Sequence, residues 1–183
     1  MWKPAIVSSI DELQQILLLQ QQNLIGNIDD SQMKSQGFLT VHHDLAKLEQ
    51  MHRLAASIII KDNDKVVAYA LTMLVECRRL IPELTSMFEL FDTLSWQGKP
   101  LNDYRFYVMG QVCVAEDYRG EGLFEQLYLH HKKIYGGQFE LLVTEISMRN
   151  QRSLRAHEKV GFKSIHTHRD NQDDWRVVGW NWQ

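Results

Sequence analysis

The chain has 183 residues, 44% of them hydrophobic and 23% charged, with a net charge of −3 when histidine is neutral. These totals suit one globular domain, 1–183, with a real core, and exclude a disordered chain. The charge offers no electrostatic pull toward nucleic acid, no apolar run nears the roughly 18 residues of a membrane span, and no signal-peptide pattern opens the chain, so a cytoplasmic protein is expected.

Ala5 to Val7 reads as a short first strand. Ser9 and Glu12 then match a capping box, and Ile10, Leu13, Leu17 and Leu24 recur at helical spacing. The glutamines at 20–22 read as that helix's exposed end, closed by Gly26 and Asn27. Asp29 to Gln36 suits a second short helix, Phe38 to Val41 a brief extended piece, and Asp44 the cap of a helix carrying Leu45, Leu48 and Met51.

Ser57 to Lys61 and Lys65 to Leu71 flank Asp62-Asn63-Asp64, a strand–turn–strand signal whose second strand extends toward Glu76. Pro82 fits a first helical turn, and Leu84, Met87, Phe88, Phe91 and Leu94 follow as a core stripe that Gly98 to Pro100 ends. Tyr104 to Val114 is a long strand. A helix with Leu123, Leu127 and Ile134 on one face runs to Gly136 and Gly137, and Phe139 to Ile146 is another buried strand. Asn150 caps a helix that Gly161 closes, and Phe162 to Thr167 and Trp175 to Trp182 form two last strands. The order predicts a mixed α/β fold in which Tyr104 to Ile146 forms a crossover joining parallel strands.

The stretch from Val112 to Phe124 carries the functional signal. A β-branched strand meets a short loop with Arg119, Gly120 and Gly122, and then a helix. Free amides at a helix N-terminus attract anions, glycines let a phosphate approach, and arginine suits phosphate oxygens. Taken alone, the loop fits a diphosphate cradle and an ordinary left-handed glycine turn equally well. It lacks both the Walker lysine pattern and the three-glycine dinucleotide fingerprint. Cys77 and Cys113 sit in apolar runs and read as buried thiols. The paired histidines, His166 and His168 among them, have no carboxylate or cysteine at zinc spacing, so no metal is expected.

Two motifs in order make the chain resemble the GNAT superfamily of N-acetyltransferases. Arg119, Gly122 and Phe124 fill Q/R-x-x-G-x-G/A, with Phe124 where a small residue is usual. Asn150, Ser153, Glu158, Lys159, Gly161 and Phe162 match the second motif, N-x-x-S through E-K-x-G-F. The resemblance implies a mostly antiparallel sheet with one splayed parallel strand pair, flanked by helices. It also implies acetyl transfer from acetyl-coenzyme A, as acyl-donor substrate, to an amine of a small molecule or peptide. The backbone of Val112, Cys113 and Val114 would bond the pantetheine arm. Arg119, Gly120, Glu121, Gly122, Leu123 and Phe124 would hold the diphosphate, and Asn150 and Ser153 would meet the arm near its thiol.

The same resemblance puts His157 where a tyrosine acid is usual and Gln111 where many relatives carry a glutamate base. His157 and Ser153 are therefore the candidate proton donors and Glu145 a candidate base, while Gln111 can orient water or acceptor. The missing tyrosine and glutamate leave a rival reading, a catalytically weak acyl-coenzyme A binding or sensing module. Trp175, Trp180 and Trp182 would cover the sheet end or a homodimer contact.

Overall fold

A computed structural model describes residues 1–182 and, for Gln32, Lys34, Ser35 and Glu83, the backbone alone. Its strands are β1 (Trp2–Ile6), β2 (Ile58–Asp62), β3 (Lys65–Met73), β4 (Ser95–Trp96), β5 (Lys99–Pro100), β6 (Phe106–Val114), β7 (Leu141–Ser147), β8 (Lys163–Arg169) and β9 (Asp174–Asn181). Its helices are α1 (Ile10–Asn23), α2 (Asp30–Gln36), α3 (Leu45–Leu54), α4 (Thr85–Phe91), α5 (Leu123–Tyr135) and α6 (Gln151–Val160). Seven strands form one sheet in the order β1-β2-β3-β6-β7-β9-β8, and every pairing except β6 with β7 is antiparallel.

Each face of the sheet has its own core. Tyr69, Leu71 and Val143 project from one face onto Ile16, Leu48, Met51, Phe88 and Phe91 of α1, α3 and α4. Tyr107, Ala70 and Leu142 project from the other onto Leu123, Leu127, Tyr128 and Leu154 of α5 and α6. The alternation along β3, β6 and β7 produces this split, since successive strand residues face opposite sides. Pro4, which lacks an N–H, sits in the edge strand β1, where no ladder bond is lost on the outer side.

Several local expectations are revised. Glu12 N donates to the Ser9 cap oxygen at 3.2 Å as the capping box requires, but the Glu12 carboxylate accepts from Ser8 N and Lys61 Nζ instead of Ser9 N. Gln20 is 1% exposed rather than solvated, because its amide is fully engaged below the helix. β3 stops at Met73, and Val75–Arg79 is a 3₁₀ turn. The small β4–β5 hairpin, turning through Gln97 and Gly98 at positive φ, carried no strand pattern long enough to read. Cys77 and Cys113 are free buried thiols. Among the described residues no helix is long and apolar enough to cross a membrane.

Candidate active site

The parallel pair β6 and β7 is joined only from Phe106 to Val108 against Leu141 to Val143. Beyond that the pairing stops, and among the described residues β6 has no strand partner on its β7 side from Met109 onward. Thr144 Oγ1 donates to Met109 O at 3.0 Å, at the point where they part. Gly110 lies at a register shift opposite Leu71 and Thr72, where a Cβ would come 3.3 Å from Met73 Cβ. The separation opens a cleft of about 470 Å³ lined by both strands, the β6–α5 loop, α6 and the 36–41 segment.

The loop at the cleft mouth owes its shape to two glycines. Gly120 and Gly122 hold φ of 88° and 85°, and an added Cβ at either would meet open space. Their requirement is therefore conformational, since other residues avoid this left-handed region. Gly122 is the N-cap of α5 and provides no side-chain cap, so the first amides of the helix face the loop unpaired by it. Val112, Cys113, Val114, Leu123 and Phe124 line the cleft. Glu121 departs from expectation: its exposed side chain accepts from Trp2 Nε1 at 3.2 Å, and it does not line the cleft. Phe124 does not obstruct the loop, because its ring packs edge-on to His157 at 5.0 Å and beside Tyr128 at 5.1 Å.

Arg119 does more than offer a cation. Its Nε donates to Val114 O at 3.1 Å, Nη2 to Asn23 Oδ1 at 2.6 Å, and Nη1 to Gln36 Oε1. One guanidinium thus ties the loop to the end of α1 and the end of α2. Asn150 braces in the same way. Its Oδ1 accepts from Ser153 N at 3.2 Å, capping α6, while Nδ2 donates to Phe38 O at 3.0 Å. The chain passes so close that a Cβ on Gly37 would lie 2.8 Å from Asn150 Oδ1.

Gln111 is held in place by three hydrogen bonds. Its Oε1 accepts from Tyr69 Oη at 2.6 Å and Gln20 Nε2 at 2.8 Å, and its Nε2 donates to Val41 O at 2.8 Å. Gln20 Nε2 also lies 3.0 Å from His43 Nδ1, so a buried polar network joins α1, the 36–43 segment, β3 and β6. Such a network is stable in low dielectric only because its members satisfy one another.

His157 lines the cleft but is buried and neutral. Nδ1 lies 2.7 Å from Ser153 O, a pure acceptor, so Nδ1 carries the hydrogen and Nε2 accepts from Tyr128 Oη at 2.6 Å. Burial holds the imidazole pKa down to about 4, and burial raises the Tyr128 hydroxyl well above its ordinary value. An imidazolium acid at this position is therefore not what the arrangement supplies, and both ring nitrogens are engaged within the protein. Ser153 Oγ lies 3.3 Å from the same Nδ1 and lines the cleft, which leaves its own hydrogen for a group inside.

Glu145 lines the opposite wall. Burial raises its carboxyl above the usual carboxylate range, and a hydrogen bond from His168 opposes that rise. The carboxylate that meets His168 is 23 positions away in sequence and is brought to it because β7 and β8 both pair with β9. At the end of β7, Asp173 accepts from Ser147 Oγ at 2.5 Å and Arg149 Nε at 2.8 Å, and the Arg149 guanidinium lies over Phe38.

A sequence model of the acetyltransferase (GNAT) family matches residues 25–162. No curated protein matches the chain significantly in sequence. Among solved structures, the ribosomal-protein-S18-alanine N-acetyltransferase from Escherichia coli is 12% identical with a TM-score of 0.66, covering 99% of this chain and 94% of that one. A GNAT-family acetyltransferase from Streptococcus agalactiae is 14% identical with a TM-score of 0.67, covering 100% and 96%. The yncA structure from Salmonella typhimurium, solved with its cofactor acetyl-CoA, is 14% identical with a TM-score of 0.62, covering 100% and 95%. At these identities the likeness is one of fold.

Proposed function

Because the chain belongs to the GNAT acetyltransferase family, we propose that it transfers an acetyl group from acetyl-coenzyme A to the amine of a small molecule or peptide, by direct attack on the thioester and with residues 1–183 acting as one domain. The observation that carries this reading is the opened edge of β6 beside a glycine loop at the α5 N-terminus. Unpaired strand amides suit the amide-bearing pantetheine arm, and the loop and helix amides suit a diphosphate. Val112, Cys113 and Val114 take the arm, and the backbone from Arg119 to Phe124 takes the diphosphate. Ser153 meets the thiol end, with Asn150 holding its helix in place.

The amine's lone pair attacks the carbonyl carbon. An N–H proton passes to the Glu145 carboxylate, the C–S bond breaks, and the sulfur leaves with the bond's electrons. The β6 amide of Val112, on the side away from β3, donates to the carbonyl oxygen as its charge builds. The Ser153 hydroxyl donates a hydrogen bond to the departing sulfur. His157 serves this step indirectly, fixing Ser153 through its Nδ1–H. A turnover screen with acetyl-coenzyme A over polyamines, amino acids, aminoglycosides and peptide N-termini tests the reading. Transfer to one class is expected. Coenzyme A binding with no transfer across the panel would favour a binding module, and absence of coenzyme A binding would overturn both.

A further inference from the structure

Glu145 does not stand alone in the cleft. It is on β7 and His168 on β8, with β9 between them. Glu145 is paired with Val177 and His168 with Trp175, neighbours two apart on β9, so both side chains rise from one face of the sheet. His168 Nε2 lies 2.5 Å from Glu145 Oε1. Two lone pairs cannot face each other at that separation, so a proton lies between them. Among the described residues no other group hydrogen-bonds to the carboxylate, which leaves Oε2 for a molecule in the cleft. The imidazole is the more open partner, its side chain 22% exposed against 12% for the carboxylate.

The surroundings make this contact specific. On β8 the His166 ring stacks on His168 with centroids 6.1 Å apart. From β9 the same face presents Trp175 and Val177, neither of which carries charge. From β6 the nearest polar side chain on the cleft wall is the neutral Gln111, already bonded within its own network. Asp170, in the β8–β9 turn, repels the Glu145 charge, and Asp173 is neutralised by Arg149 and bonded to Ser147. Among these neighbours His168 is the one that donates to the carboxylate.

We propose that His168 is a positioning residue for the proton acceptor of this site, its Nε2–H holding the Glu145 carboxylate in the rotamer that presents Oε2 to an incoming amine. The proposal rests on the reading of Glu145 as the base. A buried carboxylate without a donor would take up a proton and turn to whatever neighbour it could find. With the N–H in place the rise caused by burial is opposed and the carboxylate is aimed, and the ring's exposed edge leaves the histidine open to solvent.

The test compares His168→Phe, which keeps the ring and removes the donor, with His168→Gln, whose amide N–H can replace it. Two readouts are used: kcat/KM against pH, and the carbon-13 titration of the Glu145 carboxyl in the unliganded protein. In His168→Phe the Glu145 titration and the acid limb of kcat/KM both move to higher pH, kcat falls several-fold, and KM for acetyl-coenzyme A stays put. His168→Gln lies nearer the wild type on both. A folded His168→Phe with an unmoved Glu145 titration overturns the proposal, as does an unmoved acid limb in an active enzyme. If wild-type protein acetylates no amine, the proposed reaction fails, while the carboxyl titration still decides whether His168 governs Glu145. Should His168→Phe not fold, His168→Asn takes its place, with an amide too short to reach Oε1 and the same expected shifts.

Discussion

Replacing Arg119 with alanine separates a brace from a ligand. The guanidinium makes three hydrogen bonds to protein oxygens, two of them to residues on α1 and α2. A hydrogen bond involving a charged group contributes about 1.5–3 kcal/mol. The three share one partly buried group, and their acceptors regain water once it is gone, so the losses do not add. A net destabilisation of roughly 2–4 kcal/mol follows, which for a chain of this size lowers Tm by about 4–16 °C. Arg119→Lys should recover little, since one ammonium cannot reach Val114 O, Asn23 and Gln36 together. Urea and thermal unfolding measure the first effect, and titration calorimetry with coenzyme A measures the second. Gln36→Ala supplies the cycle: combined with Arg119→Ala it should cost less than the sum of the two. If Arg119→Ala weakens coenzyme A binding strongly while Tm and the urea midpoint stay where they were, the guanidinium is a free diphosphate ligand and the bracing argument is wrong.

Two further outcomes follow from buried polar groups. His157 and His131 are neutral in the fold, with burial holding their pKa values to about 4 and about 3 against 6.5 in the open chain. The unfolded chain therefore binds more protons than the native one below pH 6.5. The stability they contribute is complete above that value and is lost as pH falls toward 4 for His157 and 3 for His131, at up to about 1.4 kcal/mol per pH unit for each. Urea midpoints across this window should show the slope, and His131→Phe and His157→Phe should each remove a share of it; an unchanged slope in both refutes the neutral assignment. Gln111→Glu, which puts a carboxylate where many relatives have their base, should not raise turnover. It sets an oxygen against Val41 O in place of an N–H donor and costs about 2–3 kcal/mol, measured by urea unfolding; a stable, faster enzyme would contradict the network.

Most elements were legible because their causes are local. The Ser9 and Asn150 caps, the glycine stops at 136 and 161, and the loop from Arg119 to Gly122 depend on residues within a few positions of one another, and the structure places a helix terminus at each. The alternating apolar pattern of β3, β6 and β7 reads directly as strands with two covered faces. The family resemblance rests on the same local spacing, and its two motifs meet at one cleft.

What the motifs could not convey is which hydrogen-bonding groups remain available once the chain has folded. Arg119 finds Asn23 and Gln36 from 96 and 83 positions away, and Gln20 finds Gln111 from 91. Those contacts give Arg119 a bracing role that its place in the motif did not convey, turn an expected surface glutamine into a buried link, and hold Gln111 in one fixed position. His157 was nameable from its place in the motif, but its protonation depended on Tyr128 and on burial. Glu145 and His168 carried no joint signal, because their strands are not even adjacent in the sheet. Sequence therefore determined where the strands, caps and cleft-forming loop would be, since those follow from backbone propensity and short-range bonding. Tertiary structure alone decided which side chains could still act, because that depends on long-range partners and on the loss of water.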